Sequence, residues 1–121
     1  MRVLVLADDL IWSTRIVAQV RTAGADAEPV RTLAALTQAL PAAGAVIVDL
    51  TALAYDGVAA VETASDAGRR ILCVGQHDDP ELRRGALAAG AERVLPYRRL
   101  FEDGTAILAS WLAPKAEIPV R

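Results

Sequence analysis

Little in this 121-residue chain is chemically reactive by itself. It has one cysteine, one histidine and one lysine. A single cysteine excludes an internal disulfide framework, and Cys73 sits inside the apolar run Ile71-Leu72-Cys73-Val74, the setting of a buried, reduced thiol. The lysine is Lys115, near the C-terminal end, so a mechanism that needs a catalytic lysine within the domain has no candidate. Aromatics make up 4% of the chain, too few for a surface of stacking platforms. No apolar stretch approaches the roughly 20 residues of a membrane span. A net charge of −2 leaves no basic footprint for nucleic acid. Gly-rich phosphate loops, nucleophile elbows and Cys/His metal patterns are also missing, which weakens the case for an independent enzyme. Met1-Arg2-Val3 leads straight into an apolar run, so the expectation is a cytoplasmic protein with no signal peptide.

What is present is a regular alternation of strand and helix. The predicted strands are Arg2–Ala7, a short edge strand at Ala27–Val30 that contains Pro29, then Ala45–Asp49, Arg70–Gly75 and Glu92–Leu95. Between them run helices over Leu10–Ala23, Thr32–Leu40, Gly57–Ala67 and Pro80–Ala89, and a last one over Gly104–Leu112. Ile11, Ile16, Val17 and Val20 form the expected inward side of the first helix. Thr32, Asp79 and Asp103 are the expected N-caps. One domain over residues 1–113 and a loose tail over 114–121 account for the length. The pattern predicts a three-layer α/β/α sandwich around a doubly wound, five-stranded parallel sheet of order 2-1-3-4-5, a flavodoxin-like architecture.

The acids then stand out. Asp49 closes Ala45-Val46-Ile47-Val48, a run apolar enough to be buried on both faces, and Asp8-Asp9 close the first strand. In the 2-1-3-4-5 order those two strand ends are neighbours at the switch point, so Asp8, Asp9 and Asp49 are expected to converge in one pocket. Close carboxylates repel, and such a cluster calls for a metal or a basic partner. Arg98 or Arg99 is a candidate for that partner; the plainer reading is two solvated loop arginines. His77 with Asp78-Asp79 reads as a polar loop entering a capped helix rather than as a metal site, because no recognised ligand spacing is present. Trp12 and Trp111 read as packing residues, with Trp12 close enough to the acids to report on the pocket.

In this order and spacing the residues resemble the response-regulator receiver family, the CheY-like phosphoacceptor domains, over nearly the whole chain. Asp8 and Asp9 match the family's acidic cluster, with Ala7 where a first acid is common. Asp49 matches the phosphoacceptor, Asp56-Gly57 keeps the spacing that follows it, and Leu53 replaces the usual Pro. Ala86-Leu87-Ala88-Ala89-Gly90-Ala91 resembles the end of the fourth helix. The resemblance implies a Mg2+ site at Asp8, Asp9, Asp49 and the backbone carbonyl of Thr51.

Five further positions depart from the family. Gly75 stands where a Ser or Thr holds the phosphoryl group, and Gln76 where a small residue is usual. Val94 takes the aromatic switch position, and Tyr97 that of the phosphate-pairing lysine, with Arg98 in place of the following Pro. The expectation is therefore an atypical receiver, or pseudo-receiver, that works in two-component signal transduction as a protein-interaction module with impaired or absent phosphorylation. Its partners would be a sensor kinase or a downstream signalling protein, with no nucleic acid and no membrane. The family's usual surface is the fourth helix, strand five and fifth helix, here carrying Arg83, Arg84, Tyr97, Arg98 and Arg99; it also offers a route to a homodimer. Two other readings stay open: a genuine Mg2+-dependent phosphoreceiver at Asp49, and a small-ligand binder using the same crevice of a flavodoxin-like scaffold.

Overall fold

The apolar runs become the strands of one parallel sheet. The computed structural model describes residues 1–76 and 78–114. In it β1 (Arg2–Leu6), β2 (Asp26–Val30), β3 (Ala45–Asp49), β4 (Arg70–Gly75) and β5 (Arg93–Pro96) stand in the order β2-β1-β3-β4-β5. Every pairing is parallel. The connections are α1 (Leu10–Thr22), α2 (Leu33–Ala39) with a short 3-10 turn at Leu40–Ala42, α3 (Gly57–Asp66) and α4 (Pro80–Ala89), and α5 (Tyr97–Leu112) closes the chain of elements. This is the expected doubly wound α/β/α fold. Among the described residues no helix is long and apolar enough to cross a membrane. His77 and the tail from Lys115 onward, both assigned to loops by the sequence, lie outside the described residues.

The central strand is buried at every position, which is why β3 has no polar residue before Asp49. Alternation along the strands divides the core in two. Leu4, Leu6, Val46, Val48, Ile71 and Cys73 pack toward α2, α3 and α4, against Leu36, Ala60, Val61 and Ala86. Val3, Val5, Ile47, Leu72 and Val74 face α1 and α5, against Ile16, Val20, Leu108 and Trp111. Burial pushes the Cys73 thiol up to about 12, consistent with an inert core residue. Pro29 is tolerated because β2 is an edge strand.

Helix starts are capped as the sequence implies at Thr32, which accepts from Ala35 N at 3.1 Å, and at Asp79, which accepts from Leu82 N at 3.0 Å ahead of Pro80. Asp56 does the same for α3, accepting from Ala59 N at 3.1 Å. Gly90 ends α4 at φ +127°, where a Cβ would lie 2.4 Å from Ser65 Oγ, so only glycine fits.

Two expectations are corrected. Ile11 is 74% exposed; the inward stripe of α1 is Ser13, Ile16, Val17 and Val20. The chain already turns helical at Tyr97, which the sequence did not suggest; Asp103 (φ −128°, ψ 17°) is non-helical and separates that short first part of α5 from the expected helix at Gly104–Leu112, without a side-chain cap bond among the described residues. Leu100, fully buried, anchors the first part of α5 to the core. Gln19 of α1 occupies the kink, its Nε2 donating to the Leu100 carbonyl at 2.9 Å, while its buried Oε1 has no partner among the described residues. Gly104 makes the room: a Cβ there would lie 2.3 Å from Gln19 Nε2.

Gly104→Ala is therefore expected to destabilise the domain by about 1–3 kcal/mol, because it expels the Gln19 amide from its hydrogen bond. In a Gln19→Ala background the clash is gone, and the same change is expected to be neutral or to stabilise by up to about 1 kcal/mol through helix propensity. Urea denaturation of the four proteins checks this; equal costs in both backgrounds would remove Gln19 as the cause.

Candidate functional site

β1 and β3 are adjacent in register, with Leu6 opposite Val48, so the loops that follow them open into one space. It is a pocket of about 560 Å³ lined by Asp8, Asp9, Trp12, Asp49, Thr51, Leu53, Gln76 and Tyr97. The three acids named from the sequence do share it, and no described basic side chain lines it.

Asp49 is 2% exposed. A buried carboxylate needs donors, and these come from two hydroxyls and an amide. Its Oδ1 accepts from Thr51 N at 3.1 Å, from Thr51 Oγ1 at 3.0 Å and from the Tyr97 hydroxyl. The Tyr97 and Thr51 hydroxyl oxygens are also in contact, and with one proton each they donate either to Oδ1 or to one another. Tyr97 begins α5 directly after β5, which aims its ring across the strand ends. There it packs on Trp12, with ring centroids 4.7 Å apart and planes inclined by 37°. Burial first, and the hydrogen bond to Asp49 second, raise the Tyr97 phenol above its ordinary 10.0, while the contact with Thr51 acts the other way. The phenol is thus held protonated, as a donor.

A second tyrosine, passed over in the sequence as part of a loop, braces the same site. The Tyr55 hydroxyl lies 2.7 Å from the Asp49 carbonyl and 2.9 Å from the Leu6 carbonyl, and so bridges the ends of β3 and β1. Burial is the main reason its phenol is raised above 10.0, with Asp49 next. Its only signal in the sequence is a lone aromatic in a turn of small residues.

Asp8 and Asp9 are spent on backbone. Asp8 Oδ2 accepts from Leu53 N at 2.9 Å and Ala54 N at 3.1 Å, which ties the β3–α3 loop to the end of β1. Asp9 caps α1, its Oδ1 accepting from Ile11 N at 2.8 Å and Trp12 N at 3.1 Å. Mg2+ demands near-octahedral oxygen ligands at close range. Among the described residues no group of three or more His, Cys, Asp and Glu side chains is placed to hold a metal. In this arrangement the residues do not fit the Mg2+ site that the resemblance implied.

The other named positions fall out as follows. Gly75 ends β4 beside the site, and a Cβ there would sit 3.5 Å from Leu50 Cβ, an ordinary contact. A Cβ has room there; the glycine supplies no side-chain donor. Gln76 lines the pocket. Val94 is buried in the core, and its carbonyl accepts from Arg83 Nη1 at 2.8 Å, so it packs rather than switches. Arg98 and Arg99 turn away from the acids, because each helical step from Tyr97 rotates the side chain by about 100°. Arg98 is exposed and pairs with Glu102 at 2.9 Å, which raises its guanidinium pKa. Arg99 lines a separate groove of about 510 Å³ with Arg83, Leu87 and Arg93. The expected basic partner of Asp49 is thus corrected: a phenol takes that place. Tyr97 is likewise not part of the basic outer face.

No family model matches the chain. No curated protein matches it either. Solved structures do. A CheY-like response regulator receiver domain protein from Methanospirillum hungatei JF-1 superposes with a TM-score of 0.72 at 19% identity, covering 90% of this chain and 94% of that one. A protein of Burkholderia pseudomallei K96243 described as pilus assembly-related gives 0.70 at 23% identity, over 96% and 94%. A response regulator of Burkholderia pseudomallei with a phosphorylated aspartic acid, a calcium ion and citrate gives 0.71 at 14% identity, over 98% and 76%. The fold is that of CheY-like response-regulator receiver domains.

The two raised phenols set a pH dependence. The folded chain holds them protonated while the unfolded chain ionises near 10, so their contribution to stability is complete below about pH 10 and is lost as pH rises through the folded values. Spectroscopic titration is expected to give tyrosinate absorbance only together with unfolding, with the urea midpoint falling above about pH 10 and falling less steeply in Tyr97→Phe. Tyrosinate formed near pH 10 in the folded protein would contradict this hydrogen-bonded arrangement.

Proposed function

We propose that the chain is an atypical receiver that serves two-component-type signalling as a protein-interaction module, with Asp49 kept in a hydroxyl network instead of being cycled by phosphorylation. The observation that carries this reading is the Tyr97 hydroxyl on Asp49 Oδ1, at the position where the family places its phosphate-pairing lysine. Phosphoryl transfer to a carboxylate needs an approach to that oxygen and donors for the equatorial oxygens. Here Oδ1 is already ringed by the Thr51 amide and two hydroxyls, and Gly75 brings no hydroxyl. Readout is also missing: Val94 sits in the core with nothing that moves toward a phosphate.

The output face in this reading is α4–β5–α5. Arg83, Arg93 and Arg99 line a groove with Leu87, Val94, Leu95, Pro96 and one acid, Glu92, and Arg84 is exposed on the same helix as Arg83. Its chemistry suits an acidic segment of a partner or a second copy of the chain. The competing reading, a Mg2+-dependent phosphoreceiver, draws support from the strand-end placement of Asp49 with Asp8 and Asp9 in one pocket, and it would use the second carboxylate oxygens of Asp8 and Asp9, the first being held by backbone amides.

Incubation with Mg2+ and acetyl phosphate, followed by intact mass and Trp12 fluorescence, separates the two. The wild-type chain is expected to give no phosphoryl adduct and no Mg2+-dependent response. A Gly75→Thr/Tyr97→Lys variant, whose new Cβ is accommodated at position 75, is expected to gain an adduct that Asp49→Asn removes. An adduct on the wild-type chain that disappears in Asp49→Asn would establish the phosphoreceiver instead.

A further inference from the structure

On the far side of the sheet from the basic output groove, α1 does not fully cover the edge strand β2. Leu10, Val17 and Ala18 of α1 and Pro29 of β2 line an apolar groove of about 410 Å³, with Arg21 and Arg31 at its borders. The groove exists because α1 offers small side chains toward β2: Ser13 and Ala18 leave space where larger residues would close the seam. It follows α1 from Leu10 to Arg21, about 16 Å of helix. Its volume lies in the range of small-molecule sites, and its walls are mainly hydrophobic with few polar groups, as such sites are.

The two arginines give the groove a sign. Arg21 Nη2 donates to the Ala27 carbonyl at 3.2 Å, and Arg31 Nη2 donates to the Asp8 carbonyl at 3.0 Å. These bonds fix both side chains beside the groove and leave most of each guanidinium's five donors unused. Among the described residues the ion pairs are Arg70–Glu92 and Arg98–Glu102, so neither Arg21 nor Arg31 has a carboxylate partner. Glu28 of β2 lines a different groove against α2, and Asp8, whose carbonyl Arg31 meets, turns its carboxylate to Leu53 N and Ala54 N. In a chain of net charge −2, two held but unpaired arginines on one apolar cleft are a local excess of positive charge. A guanidinium fork matches a carboxylate by two parallel hydrogen bonds, which a lysine does not offer.

We propose that this α1–β2 groove binds a small amphipathic carboxylate, its apolar chain lying along Leu10, Val17 and Pro29 and its carboxylate meeting Arg21 or Arg31. The site is separate from the acidic pocket and does not depend on how Asp49 is used. Decanoate, kept below micelle formation, is the probe, followed by amide chemical shifts of the full chain. Saturable shifts confined to α1 and β2 are expected, with a Kd of about 1 mM or tighter. The Arg21→Gln/Arg31→Gln double variant, and decanol in place of decanoate, are each expected to weaken binding by about tenfold or more. Ala18→Trp, a change at an exposed position that fills the groove, is expected to abolish binding with the remaining shifts and the thermal midpoint unchanged.

Equal binding of decanol and decanoate would overturn the proposal, as would shifts scattered over other apolar patches or no saturable shift at all. So would a concentration-dependent dimer in sedimentation that Ala18→Trp dissolves, which would assign the groove to a second copy of the chain.

Discussion

A carboxylate that is 2% exposed at the end of a central strand must be compensated, and Asp49 meets that demand with two hydroxyls and an amide rather than with a cation. The rest of the strand-end architecture follows from this choice. Tyr97 reaches the site because α5 begins immediately after β5, and its ring is steadied by Trp12. The start of α5 is held in turn by buried Leu100 and by Gln19 seated at the kink beside Gly104. A contact between two side chains therefore depends on the register of a helix start and on a glycine seven residues further on.

The neighbouring acids complete the picture. In an Mg2+ site three carboxylates would point their oxygens at one centre. Here Asp8 ties down the β3–α3 loop and Asp9 caps α1, so two of the three work as backbone acceptors. Tyr55 draws the ends of β1 and β3 together from within the core side. Each group does a structural task, and together they tie the pocket walls to the strand ends.

The fold was legible in the sequence because burial on both faces leaves an unmistakable record. Ala45–Val48 could be little else than a central strand, and the alternation of five such runs with amphipathic helices left one common sheet order. Asp49 and its acidic neighbours were legible for the same reason, as polar residues at the ends of apolar runs. What the residues do was harder to see. Whether Asp9 binds an ion or caps a helix depends on where α1 starts, and boundaries are weakly encoded. Asp103 has the chemistry of a cap and sits at a kink, because buried Leu100 and the Arg98–Glu102 pair extend α5 back to Tyr97. The direction of the Tyr97 ring, and the retreat of Arg98 and Arg99 from the acids, follow from that one shift. Tyr55 was invisible because a hydroxyl that bridges two carbonyls from distant strands has no local pattern.

The central claim is an energetic link between Tyr97 and Asp49, and a double-mutant cycle measures it directly. Urea denaturation of the wild-type chain, Asp49→Ala, Tyr97→Phe and the double variant is expected to give a coupling of about 1.5–3 kcal/mol, the range for a hydrogen bond to a charged group. Costs that add to within about 0.5 kcal/mol would contradict it and return Asp49 to a pocket without a latch.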